Sequence, residues 1–169
     1  TEFDGWINAD SAPGLVSQCD LVFDTIDFLD LAGITSLHDE GRRLGRPIIS
    51  AISMGWGSGA VYFPPESHWT FRHMFGLPAD GPVDGMSYIE RFSAFLEQAK
   101  TKFMPEVVTA VSNALKTMED DVPCPAPHLA VGAASVAALC VTAAVRVLNG
   151  QRVTEAPRMI VADMGMLCE

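Results

Sequence analysis

Apolar positions fall either in short unbroken runs or in longer stretches with helical spacing, and the two kinds alternate along the chain. Leu21-Val22-Phe23, bracketed by Asp20 and Asp24, reads as a short buried strand. Leu29–Leu44 then sets Leu29, Ile34, Leu37 and Leu44 toward one helical face. Arg42, Arg43 and Gly45 close it, cations followed by a glycine stop. Pro47–Ser53 is a second buried strand. Strand, helix and strand in that order form a βαβ unit, with parallel strands and a right-handed crossover expected.

The pattern continues in both directions. Ala12–Gln18 reads as a short helix after a turn at Asn8–Ser11. Gly55–Gly59 reads as a flexible turn into a further strand, Ala60–Phe63, which Pro64-Pro65 ends. A dinucleotide loop must open a helix, and this glycine run does not. Trp69–Phe75 predicts a short helix, Leu77–Gly85 a turn-rich connection, and Met86–Lys100 and Pro105–Met118 two amphipathic helices. Glu119–Pro127 is a proline-stiffened loop, and Pro157–Asp163 a late strand. The expected fold class is α/β, a Rossmann-like three-layer mixed sheet. Residues 1–65 hold the βαβ core with its glycine turn and antiparallel strand, 66–126 a helical insertion, and 127–169 a closing helix and strand.

The stretch from Leu129 to Leu148, ending at Asn149-Gly150, is long enough to cross a bilayer. Its Ala, Gly and Ser contribute little to insertion, and Arg146 lies within it. The expectation is therefore a buried helix of a soluble protein, whose small residues permit close packing against a sheet.

Composition narrows the partners. The 169 residues are 49% hydrophobic and 19% charged, which excludes a disordered chain. A formal net charge of −10 disfavours nucleic acid and anionic membrane alike. Cys19, Cys124, Cys140 and Cys168 have no zinc-site spacing, and their number implies a reducing, cytoplasmic setting. Phe3, Trp6 and Ile7 near the start read as the interior of a longer protein.

The residues that best suit chemistry are Asp24 and Asp27, at the carboxyl end of the first strand. In open α/β sheets that edge is where ligands bind. Asp27 there suits a magnesium ion, which takes one or two carboxylates and completes its shell with phosphate oxygens and water. The competing reading is that Asp24 or Asp27 caps the following helix. Ser50 and Ser53 have no histidine or acid close by in sequence, so a hydrolase triad has no support. His68 and His73 flank Trp69 and Phe71 without a third ligand.

The run Cys19–Pro65 resembles the second half of the ThiF/MoeB/E1 adenylyltransferase domain. The matching features are Asp24-Thr-Ile-Asp27 after a strand, a helix to Leu44, Gly45-Arg-Pro47-Ile-Ile-Ser50-Ala51, the glycine turn and Ala60–Phe63. Asn149-Gly150 and Ala156–Asp163 resemble the family's closing helix and strand more loosely. The resemblance implies ATP-dependent activation of a carboxylate, with ATP and Mg²⁺ as cofactors, Asp24 and Asp27 at the nucleotide, and Asp27 on the metal. It implies a dimer or association with a missing N-terminal half, and a ubiquitin-like or sulfur-carrier protein as partner. Phe28 stands where the family has Asn, and Ala32 where it has Arg; the CxxC pairs and the glycine-rich nucleotide loop have no counterpart. Those departures carry an alternative, a catalytically degenerate ThiF-like binding or scaffold module.

Overall fold

In a computed structural model, residues 2–83, 100, 105–119 and 129–168 are described. All but Lys100 of the expected helix Met86–Lys100 and all but Glu119 of the loop Glu119–Pro127, Cys124 included, lie outside them.

Four strands form one mixed sheet in the order β1 (Val22–Asp24), β2 (Ile48–Met54), β3 (Gly57–Phe63), β4 (Ile160–Asp163). β1 and β2 are parallel, as a βαβ unit requires, and β3 and β4 each return antiparallel. The helices are α1 (Ala12–Val16), α2 (Leu31–Arg43), α3 (Phe71–Met74), α4 (Pro105–Glu119) and α5 (Ala130–Leu148).

Alternation along β2 sorts the core into two layers. Ile52 and Met54 face α2 and join Leu31, Ile34, Phe71 and Val111. Ile49 and Ala51 face the other way and pack on Cys140, Ala143 and Ala144 of α5. Helices therefore cover both faces of the sheet.

Several boundaries differ from the sequence reading. The glycine run is mostly strand: Met54 pairs with Gly57, leaving a two-residue turn at Gly55-Trp56. Gly55 sits at φ +55°, a conformation that glycine adopts without steric cost. Helix α5 is buried on one face only. Val141, Val145 and Leu148 are exposed on the other, and by length and composition this helix is able to cross a membrane.

Neither Asp24 nor Asp27 caps α2. Asp30 does, accepting from the Gly33 amide at 2.9 Å. The helix starts one turn later than Asp27 would need to cap it, because Asp27 and Asp30 first close a turn through Asp30 N–H and the Asp27 carbonyl.

Candidate functional site at the carboxyl edge of the sheet

The parallel register sets Asp24 opposite Ser50. Both side chains point toward α2, where His38 projects from the apolar face that also carries Leu31 and Ile34. The three meet. His38 Nε2 lies 3.0 Å from Asp24 Oδ2 and 3.1 Å from Ser50 Oγ, and Ser50 Oγ donates to the same Oδ2 at 2.8 Å. All three are buried, at 5%, 6% and 7% exposure for Asp24, His38 and Ser50. The imidazole is held between the rings of Phe63 and Phe71, with centroids at 4.9 and 4.6 Å.

Ser50 has no histidine or acid close by in sequence, and the fold brings both to it. The arrangement does not produce a hydrolase. A nucleophilic serine gives its proton to one imidazole nitrogen while the acid holds the other. Here one nitrogen faces both partners, and the serine proton goes to the carboxylate. When Nε2 carries its hydrogen, that hydrogen is shared between two acceptors, and the triangle is satisfied internally. Its effect is to tie β1, α2 and β2 together. Asp24 Oδ1 also accepts from Ile26 N at 3.1 Å, which fixes the first step of the loop leaving β1.

Asp24 is therefore turned into the core, its carboxylate taken up by Ser50, His38 and the Ile26 amide. Asp27 is the opposite. It is exposed, and one oxygen accepts from Leu29 N at 2.9 Å while Oδ2 has no partner among the described residues. Phe28, beside it, points inward to Phe71 and Phe75, with centroids at 6.2 and 5.5 Å.

Other groups share this edge because β2, β3 and β4 alternate in direction. The Gly55-Trp56 turn, the end of β4 and the start of α5 all converge on it. Met164 N donates to the Trp56 carbonyl, and Asp163 Oδ1 accepts from Gly165 N. Trp56 is half exposed. Gly132 of α5 lies against the carbonyls of Gly55 and Gly57. The buried Ser53 hydroxyl beside it has no hydrogen-bond partner among the described residues.

As a metal position, Asp27 offers one free carboxylate oxygen. No group of three His, Cys, Asp or Glu side chains converges among the described residues. That donor set suits magnesium shared with phosphate oxygens and water, and it does not suit a metal held by protein alone. His68 and His73 come within 6.3 Å, centroid to centroid, and no third His, Cys, Asp or Glu joins them among the described residues; His73 stacks on Trp69 at 4.4 Å.

The triangle had a signal in the sequence. His38 lies four residues after Ile34 and seven after Leu31, a polar residue on an apolar helical stripe. A buried polar side chain there requires partners, and the strand ends were the nearest elements able to supply them. No protein-family model matches this sequence, and no curated protein matches it.

Proposed function

We propose that this chain forms the C-terminal half of a ThiF/MoeB/E1-type adenylation domain, with Asp27 as its magnesium–ATP ligand. The observation that carries the reading is the division of labour at the end of β1: Asp24 is locked inside, and Asp27 is presented to solvent with a free oxygen. The parallel pair followed by an antiparallel return is compatible with such a domain. A magnesium ion bound at Asp27 would neutralise phosphate charge as a substrate carboxylate attacks the nucleotide. Within this chain, the triangle positions the loop and Asp27 supplies the ligand.

The sheet also supports a partner, whether the N-terminal half or a second copy. β1 borders the sheet, and Phe23 on its α5 side is 44% exposed. Parallel strands are ordinarily covered on both faces. A further segment beside β1 would cover this ring.

A second reading is a scaffold that keeps the fold without the chemistry. Phe28 favours it, because the position next to Asp27 is spent on the aromatic core.

Equilibrium dialysis of the full-length protein with magnesium–ATP separates the two. The adenylation reading expects saturable binding, and Asp27→Ala weakens it by roughly tenfold or more, the loss of one charged metal ligand. Exchange of pyrophosphate into ATP in the presence of a ubiquitin-like substrate should fall in parallel. No binding, or binding indifferent to Asp27→Ala, overturns the reading and leaves the scaffold.

A further inference from the structure

A cleft of about 380 Å³ runs between α5 and β4. That volume lies within the range of small-molecule sites, about 300–1,000 Å³. It follows α5 from Ser135 to Arg146, about 16 Å at the helical rise of 1.5 Å per residue. Arg146 and Arg152 both line it, and no acid does.

Among the other described arginines, Arg158 has no acidic partner either, and four are engaged. Arg43, Arg46 and Arg72 pair with Glu40, Asp20 and Asp39, and Arg42 donates to the Ser67 carbonyl. In a chain of net charge −10, Arg146 and Arg152 have no acidic partner among the described residues. They are not spent on the helix end. Backbone amides of Asn149, Gly150 and Gln151 take the carbonyls of Val145, Val147 and Arg146. Gly150, at φ +67°, turns the chain back so that Arg152 returns beside Arg146.

A separate observation comes from Ser135. It is only 8% exposed and lines the same cleft, and its hydroxyl has no hydrogen-bond partner among the described residues. A helical serine usually bonds back to the carbonyl four residues earlier, as Ser36 and Ser112 do here. Between Ser135 and the arginines the lining includes Leu139, Val153 and Ile160, an apolar floor.

We propose that this cleft binds a small elongated anion with an apolar body, its head group on Arg146 and Arg152. The body lies along Leu139, Val153 and Ile160. The site is independent of nucleotide binding at Asp27.

Calorimetric titration of the full-length protein with octanoate, at low ionic strength, tests it. Octanol supplies the body without the charge, and inorganic phosphate the charge without the body. Octanoate should bind saturably and more tightly than either control. The double variant Arg146→Gln, Arg152→Gln should weaken it by about tenfold or more, since charge-assisted pairs are lost, with the thermal melt unchanged. Ala138→Phe, which fills the cleft and leaves both charges, should also abolish binding. The proposal is overturned by the absence of saturable octanoate binding, by undiminished affinity in either variant, or by phosphate or octanol matching octanoate.

Discussion

Asp24 and Asp27 lie three residues apart, and their surroundings divide them sharply. Asp24 accepts from Ser50, His38 and the Ile26 amide in a buried setting. Removing its carboxylate leaves a buried imidazole and hydroxyl with only each other as partners, a cost of roughly 2–4 kcal/mol. Asp24→Ala should therefore lower the denaturation midpoint strongly. Asp27→Ala should change stability by less than about 0.5 kcal/mol, since it removes one exposed turn contact. Urea unfolding of the two variants tests the contrast; equal losses would contradict it. Of this pair, the sequence displayed the position and not the direction. Strand period alone places both acids near the sheet edge. Which one turns inward depends on Ser50 opposite and His38 above, contacts set by register and helix docking. The cap was misread for a related reason. Three acids occupy the loop, and the one that caps is decided by where the turn closed by Asp27 and Asp30 ends.

Helix α5 shows how elements approach one another closely. Its buried positions are Gly132, Ser135, Cys140, Ala143 and Ala144, all small. A Cβ added at Gly132 would meet the Gly55 carbonyl, with Ser53 Oγ at 3.0 Å and the Gly57 carbonyl at 3.3 Å. The two carbonyls belong to the turn and to the first residue of β3, and as backbone they cannot swing away. Gly132→Ala should cost about 1–3 kcal/mol by overpacking, against the helix-propensity gain of roughly 1 kcal/mol that alanine gives elsewhere. Thermal melting of the variant reads this directly; an unchanged or raised midpoint would show that α5 is free to lift. The same close approach accounts for two limits of the sequence reading. Gly57 and Gly59 read as a turn because glycine weakens strands, yet here they pair in β3 beneath the start of α5. The one-sided burial of α5 was illegible because its two faces are alike in composition. Ala and Val occupy both, so no polar stripe marks the outside. The βαβ unit, in contrast, was plain from the switch in periodicity and from the Arg-Arg-Leu-Gly stop.

At the scale of the whole molecule, the charge balance and the two faces of the sheet set how stability responds to alkali. Burial raises the Cys140 thiol above its ordinary value. Burial raises the Tyr62 phenol too, and the charges of Glu66 and Glu155 push it further. Both groups lie in the layer between the sheet and α5. Each is neutral when protonated, and the fold favours that form. Their contribution to stability is thus complete below the ordinary thiol and phenol values, about 8.5 and 10. It is lost as the pH rises through the higher folded values, because the unfolded chain releases those protons first. Deprotonation also adds negative charge to a chain already at −10, so self-repulsion acts in the same direction. Repulsion acts on every variant of similar charge, and the linkage acts only where the two groups are present. Melting temperature should therefore fall as the pH rises above about 8.5 and further above about 10, and Cys140→Ala with Tyr62→Phe should flatten that fall. A double variant with the same alkaline decline as the parent would assign the whole effect to charge repulsion and remove these two groups from the account.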